Sequence, residues 1–131
     1  MIFNHIGIIV SELELGKKFI SNVLPISRFS SPIKDINLGV SIQFCFDSSN
    51  ICYELVAPYG NDSPISLSLL SNKNIINHVA YKVDDLETAC EKLRNQGCMP
   101  LGEPKPAKAF NGNLVIFYLT PLRFILEIIQ A

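Results

Sequence analysis

The sequence predicts an α+β fold in which two modules, each a strand, a helix and three further strands, form one curled mixed sheet. The first observation is an internal echo: NHIGIIVSELE at 4–14 and NHVAYKVDDLE at 77–87 are identical at five of eleven positions. The second is that each echo passes from an apolar, strand-like run into a helix signal. The third is that three strand-like runs follow each helix signal. Together they predict tandem βαβββ modules.

The two helices are predicted from their polar starts and their apolar stripes. Ser11 and Glu14 have the spacing of a capping box, as do Asp84 and Glu87. Apolar residues then recur at the spacing of a helix with one buried face. The predicted buried positions are Leu13, Gly16, Ile20 and Leu24 in the first helix and Leu86, Ala89, Cys90 and Leu93 in the second.

The chain is predicted to be one domain, residues 1–131, built of two repeats at about 1–60 and 74–131. Between the repeats, Ser63 is a typical N-cap, which predicts a short linking helix near 63–71. The predicted strands lie near 3–10, 26–34, 38–46 and 51–57 in the first repeat and near 75–83, 98–104, 112–119 and 123–130 in the second.

Composition excludes several classes of protein. A hydrophobic fraction of 48% with 18% charged residues provides a core and argues against a disordered chain. The net charge of −1, without a block of Lys and Arg, gives no footprint for nucleic acid. No apolar run approaches the roughly 20 residues of a membrane helix, and no signal peptide is evident, so we expect a cytoplasmic protein without a membrane partner. The cysteines form no C-x-x-C pair and are predicted to be reduced and mostly buried: Cys45, Cys52, Cys90 and Cys98.

Two histidines and two glutamates share one interval. The distance along the chain from His5 to His78 is identical to the distance from Glu54 to Glu127. Each glutamate lies in an apolar run, where burying an unpaired carboxylate would be very costly. A strand histidine is often an ordinary core residue, and either glutamate could pair with Lys or Arg. The matched interval nevertheless favours a role that the four residues share.

Strand alternation predicts where these side chains point. His5 points away from Ile6 and Ile8, and the two glutamates point away from their apolar neighbours. A sheet that curls so that these faces meet would gather two imidazoles and two carboxylates around a metal cleft. This donor set suits a divalent transition metal: Mn, Fe, Co, Ni or Zn. Four protein ligands leave a six-coordinate ion two positions for water or substrate.

A metal site of this kind suits proton abstraction next to a carbonyl group. The ion can polarise the carbonyl, and an adjacent carboxylate can move the proton. The pattern therefore predicts isomerisation, epimerisation or lyase chemistry.

The combined pattern resembles the vicinal oxygen chelate superfamily, which includes glyoxalase I, dioxygenases, bleomycin-resistance proteins and methylmalonyl-CoA epimerase. The resemblance covers nearly the whole chain and implies a glyoxalase-like fold of paired βαβββ modules. Three segments are similar to the methylmalonyl-CoA epimerases in particular: GVSIQF at 39–44, YELVAPYGNDSPI at 53–65 and NHVAYKVDDLE at 77–87.

The resemblance implies a metal-dependent epimerase or isomerase that removes a proton α to the carbonyl of a methylmalonyl-CoA-like acyl thioester. It implies His5, Glu54, His78 and Glu127 as metal ligands, with Glu54 and Glu127 as candidates for the two catalytic bases that epimerisation needs. Gln43 could donate a hydrogen bond to the substrate's carboxylate or enolate, or could simply be a polar residue of the cleft. The implied partner is a small-molecule substrate such as a CoA thioester.

Two other functions stay open at this point. A lactoylglutathione lyase of the glyoxalase I type would also use two histidines and two glutamates. The second is a non-catalytic binding or resistance protein, although such proteins more often lack the metal ligands. A ring-cleaving dioxygenase fits less well, because those enzymes typically use three protein ligands for the metal. The apolar outer faces of the strands, together with the habit of the family, predict a homodimer.

Overall fold

The computed structural model describes residues 1–60, 63 and 78–131, which form an α+β fold. Within these residues, ten strands join in one mixed sheet, and two helices cover one of its faces. In chain order the elements are β1 (Ile2–Ile9), α1 (Leu13–Val23), β2 (Ile26–Phe29), β3 (Ile33–Asp35), β4 (Val40–Asp47), β5 (Cys52–Pro58), β6 (His78–Val83), α2 (Leu86–Asn95), β7 (Met99–Pro100), β8 (Lys105–Pro106), a 3₁₀ turn (Lys108–Phe110), β9 (Leu114–Leu119) and β10 (Ile125–Gln130).

The sheet is centred on the antiparallel pair of β1 and β6. Its strand order is β2-β4-β5-β1-β6-β10-β9-β7, with β3 added to β4 and β8 added to β9. On each side of the centre, the first neighbour is parallel: β5 lies beside β1, and β10 lies beside β6. The strands of the two halves thus occur in matching order about the central pair. The repeat bounds at about 1–60 and 74–131 stay a prediction.

Two of the predicted strands are shorter than expected. The segment 26–34 is divided into β2 and β3, both paired with β4, because Pro32 between them has no N–H to donate to a sheet ladder. The segment 98–104 keeps only the two residues of β7, since the chain turns at Gly102, where φ is +128°. The strands β1, β4, β5, β9 and β10 begin and end within about two residues of their predicted limits, and β6 is described only from His78. The short strand β8 was not predicted.

Both helices bury the predicted stripes. On α1, Gly16 and Ile20 are buried, while Leu13 and Leu24 pack at the edge of the same cluster. On α2 all four predicted positions are buried. The helices lie on the face of the sheet formed by residues such as Leu55 under α1 and the following residues under α2: Ile116, Tyr118 and Ile128.

This packing removes one reason for expecting a dimer. The apolar outer strand faces are covered by α1 and α2 of the same chain, so they do not form a free surface. The homodimer remains a prediction based on the resemblance alone.

The two predicted capping boxes are wrong. The N-cap of α1 is Glu12, whose side chain makes no capping hydrogen bond. The N-cap of α2 is Asp85, one residue later than expected, and its carboxylate accepts from the backbone N–H of Thr88 at 3.1 Å. Asp84 is still held to the sheet end, because its carbonyl oxygen accepts from the Gln130 side chain at 2.7 Å. The helix therefore takes Asp85, the next residue, as its N-cap.

Other sequence expectations have simple outcomes. The linking helix predicted near 63–71 lies outside the described residues except for Ser63, whose hydroxyl donates to the carbonyl oxygen of Gly39 at 2.5 Å. All four cysteines are free thiols, with Cys45 and Cys90 buried and the other two partly buried. Among the described helices, none has the length and hydropathy needed to cross a membrane. The cytoplasmic location stays a prediction.

The position of the α2 cap can be tested with adjacent aspartates. We expect Asp85→Ala to lower the free energy of unfolding by about 1 kcal/mol, because it removes an acceptor from the first turn of the helix. Asp84→Ala is the matched control and should change it by less than about 0.5 kcal/mol. Urea unfolding followed by circular dichroism measures both. A larger loss for Asp84→Ala would return the cap to the residue that the sequence predicted.

Candidate metal centre

Four neighbouring strands deliver the predicted ligands to one point on the face of the sheet away from the helices. His5 lies on β1, His78 on β6, Glu54 on β5 and Glu127 on β10. All four side chains are buried, with residue exposures of 0%, 7%, 6% and 3% in the same order. The predicted alternation is confirmed, since the neighbours Ile8, Leu55 and Ile128 lie in the clusters beneath the helices.

The donor atoms of the four residues converge. Nε2 of His5 and Nε2 of His78 are 3.0 Å apart. Glu127 Oε2 lies 3.2 Å from the first and 3.0 Å from the second. Glu54 Oε1 lies 3.5 Å from each. One donor atom from each residue falls within 4.8 Å of all the others.

This arrangement fits a divalent cation. Donor atoms roughly 2.0–2.2 Å from an ion, at tetrahedral to right angles, are separated by roughly 2.8–3.6 Å, which is the range found here. Glu127 Oε2 is fully buried and, despite its short distances to the imidazoles, accepts no well-aligned hydrogen bond. Its lone pair is aimed at the point where the other donors meet. Buried lone pairs that face one another favour a cation between them.

A bulge in β1 orients His5. Phe3 and His5 pair with the consecutive residues Tyr81 and Ala80 of β6, so Asn4 is the extra residue of the bulge. The Asn4 side-chain oxygen lies 2.7 Å from Nδ1 of His5 and accepts its proton. With Nδ1 protonated, Nε2 keeps a free lone pair, as a metal-binding imidazole requires.

Three phenylalanines enclose the imidazoles. Phe110 stacks on the ring of His5 with centroids 5.9 Å apart, and Phe44 meets the same ring edge-on at 5.7 Å. Phe117 meets His78 edge-on at 5.4 Å. None of the three was predicted from the sequence, although Phe117 follows Phe44 by the same interval that separates the ligand pairs. Phe110 has no phenylalanine counterpart at that interval. It reaches the ring of His5 from the 3₁₀ turn that precedes β9.

The site lies in a cleft of about 650 Å³ with mostly apolar walls. Among the described residues that line the cleft, Lys105 is the one lysine or arginine. Asp35 also lines the cleft, but its carboxylate accepts from the backbone N–H groups of Asn37, Leu38 and Lys108 and is therefore fully engaged. The apolar lining from the strands is Ile9, Val40, Ile42, Val56, Val115, Phe117 and Ile125.

Gln43 is not part of this cleft, contrary to the sequence prediction. It pairs with Leu55 across β4 and β5, so its side chain lies on the helix side of the sheet. Its amide donates to the carbonyl oxygen of Ser30 at 2.7 Å, and the residue as a whole is 4% exposed. Val40 and Ile42 of β4 line the cleft instead, and Phe44 lies on the same face because it pairs with Glu54.

The carboxylates stabilise positive charge on the imidazoles when no metal is bound. Burial would lower the pKa of His5, but the close approach and negative charge of Glu127 and Glu54 raise it to about 8. The same balance raises the pKa of His78 to about 9. Burial would raise the pKa of Glu54, but its contacts with both imidazoles at 3.5 Å lower it to about 2. A metal ion must replace the protons on these imidazoles, so its affinity rises with pH.

Sequence comparisons with a family model and with individual proteins point to the same superfamily. Residues 4–117 match the model of the glyoxalase/bleomycin resistance protein/dioxygenase superfamily. The chain is 31% identical to the ethylmalonyl-CoA/methylmalonyl-CoA epimerase of Cereibacter sphaeroides, over 87% of this chain and 84% of that one. It is 34% identical to the mitochondrial methylmalonyl-CoA epimerase of Bos taurus, over 87% of this chain but 64% of that one.

The fold comparison agrees with this. A variant of Streptomyces coelicolor methylmalonyl-CoA epimerase, solved in complex with 2-nitronate-propionyl-CoA, superposes with a TM-score of 0.74. The superposition covers 100% of this chain and 97% of that chain at 18% identity, and it therefore bears on the fold. The predicted glyoxalase-like fold is confirmed.

The pKa shifts predict how the stability of the metal-free protein depends on pH. A histidine with a raised folded-state pKa contributes stability that is complete below about pH 6.5 and is lost as the pH rises through the folded value, here about 8 and about 9. We expect the free energy of unfolding in a chelator to fall between about pH 6.5 and about pH 9, by on the order of 1 kcal/mol or more. His78→Gln should show a shallower fall. A parent protein equally stable at both pH values would contradict the ion-paired cluster.

The four-residue site also predicts the effect of removing both imidazoles. Changing His5 and His78 together to alanine should abolish stoichiometric binding of Co²⁺, Mn²⁺, Ni²⁺ and Zn²⁺, since two of four donors are lost. Gln43→Ala is the matched control, because it removes a buried polar side chain on the other face of the sheet. Metal content after dialysis is the measurement. Full occupancy in the double variant would remove these residues as ligands.

Proposed function

Because the chain belongs to the glyoxalase/bleomycin resistance protein/dioxygenase superfamily, we propose that it is a metal-dependent epimerase or isomerase that removes a proton α to a carbonyl group. The proposed substrate is an acyl-CoA thioester of the methylmalonyl-CoA type. The observation that carries the proposal is the convergence of two imidazole nitrogens and two carboxylate oxygens at the base of a mostly apolar cleft. The curated relatives that are methylmalonyl-CoA epimerases support the choice of reaction.

His5, Glu54, His78 and Glu127 would hold the metal ion. When bound, a divalent cation would act as a Lewis acid and increase the acidity of a proton next to a carbonyl. The nitrogen and oxygen donors are compatible with Co, Mn, Ni, Zn or Fe. Phe110, which is buried, and the partly buried Phe44 and Phe117 surround the imidazoles with apolar surface, which would limit access of water and strengthen the electrostatic interactions at this point.

Glu127 and Glu54 are the proposed bases. Each directs one carboxylate oxygen towards the imidazoles: Oε2 of Glu127 and Oε1 of Glu54. In this proposal the second oxygen of each accepts the α-proton and returns it. They lie on β10 and β5, on opposite sides of the central strand pair. A planar intermediate held between them could exchange protons on either face, as epimerisation requires.

The cleft suits a short acyl chain with a charged end. Its apolar walls can cover the acyl group and exclude water. Outside the donor cluster, the charged residues among the described cleft lining are Lys105, Asp35 and Glu103. Because the other two are acidic, Lys105 is the residue that would neutralise a free carboxylate of the substrate. The Streptomyces coelicolor neighbour was solved with 2-nitronate-propionyl-CoA, which supports testing CoA esters first.

Deuterium exchange tests the reaction directly. We expect metal-loaded protein in D2O to incorporate deuterium at C2 of methylmalonyl-CoA and to convert one configuration into the other. Glu127→Gln should reduce the exchange rate by at least about 100-fold, because the amide cannot accept the proton. Gln43→Ala changes a residue on the other face of the sheet and should keep the parental exchange rate. Proton NMR of the C2 position follows the reaction with each metal.

Other outcomes select other functions. No exchange with any bound metal would reject this substrate, and turnover of the hemithioacetal of glutathione and methylglyoxal would identify a glyoxalase I-type lyase instead. A metal-free protein that binds a small molecule without turnover would favour a resistance or binding protein.

A further inference from the structure

Gly7 is placed where a side chain would collide with a ligand of the metal centre. It lies opposite His78 in the antiparallel pair of β1 and β6. A Cβ atom built on Gly7 would be 1.9 Å from Cε1 of His78 and 2.3 Å from both ring nitrogens. Non-bonded carbon atoms normally approach to roughly 3.5–4.0 Å. The imidazole of His78 thus fills the space that any other residue at position 7 would need.

Backbone conformation does not explain the glycine. The glycines with positive φ among the described residues are Gly39, Gly60, Gly97, Gly102 and Gly112, and Gly7 is not one of them. The strand backbone at this position is accessible to any residue, and glycine within a strand normally lowers stability. A close approach by a neighbouring group is the remaining reason for glycine here.

The neighbours of Gly7 connect it to the whole site. On its other side, Gly7 pairs with Glu54 of β5, so it lies between two of the four donors. Ala80 has the matching position in the other half, because it pairs with His5 and with Glu127. There a methyl group is accommodated beside the bulge at Asn4, which turns His5. The requirement for a bare backbone is therefore specific to residue 7.

We propose that Gly7 is a positioning residue of the metal centre, whose missing side chain is the space that lets His78 reach the other three donors. This inference rests on the proposed metal function but not on the identity of the substrate. Metal–nitrogen distances tolerate changes of about 0.2 Å. A methyl group at residue 7 would push the imidazole by more than this and would leave the other three donors in place.

Cobalt binding tests the proposal without using activity. We expect Gly7→Ala to raise the dissociation constant for Co²⁺ at least about tenfold and to change the visible absorption of the bound ion. Ala80→Gly is the matched control in the paired position. It should disturb the same two strands but keep the affinity within about threefold, since it introduces no collision. Parental affinity and spectrum in Gly7→Ala would overturn the proposal.

A double-mutant cycle in metal-free protein covers the case in which Gly7→Ala is poorly folded. The Gly7→Ala change should lower the urea midpoint in the parent protein but not in the His78→Ala background, where the methyl group can occupy the space of the ring. An equal loss in both backgrounds would overturn the proposal. If the parent protein binds no Co²⁺, the metal function fails, while this cycle still decides whether Gly7 makes room for His78.

Discussion

Four polar groups share one buried point, and the arrangement of the sheet satisfies them. A buried imidazole or carboxylate is costly unless charge or hydrogen bonding compensates it. Here each carboxylate lies within 3.5 Å of both imidazoles. Removing any one donor would leave the others buried without their partner. The mutual compensation within the cluster therefore contributes to the stability of the fold, and the same four groups form the candidate metal centre.

Strand register is what brings these groups together. Glu54 lies beside Gly7 on β1, and Glu127 lies beside Ala80 on β6, so the two halves place their carboxylates at matching positions. Each carboxylate also pairs with a phenylalanine on the next strand, Phe44 or Phe117. Because β1 and β6 are antiparallel and adjacent, the two sets of side chains meet at the centre of the sheet. A shift of one residue in either pair would turn a donor to the helix side.

The two faces of the sheet have different functions. The helix side contains most of the ordinary core, where Leu55, Tyr118 and Ile128 are almost fully buried. The other side has an apolar cleft open to a ligand, with the polar cluster at its base. Stability from the packed side can thus hold the donors close together before a metal arrives. This is the preorganisation that an electrostatic site needs.

The strands, the helical stripes and the four donors could be predicted from the sequence, because side-chain alternation and the repeated interval are features of the chain itself. The position of Gln43 on the helix side could not, since the face of β4 depends on its register with β5. The same holds for Phe110, which a 3₁₀ turn brings onto His5, and for the α2 cap, which contacts with β10 move by one residue. Alternation determines which residues of a strand share a face. Pairing and packing between distant segments decide which face becomes the cleft.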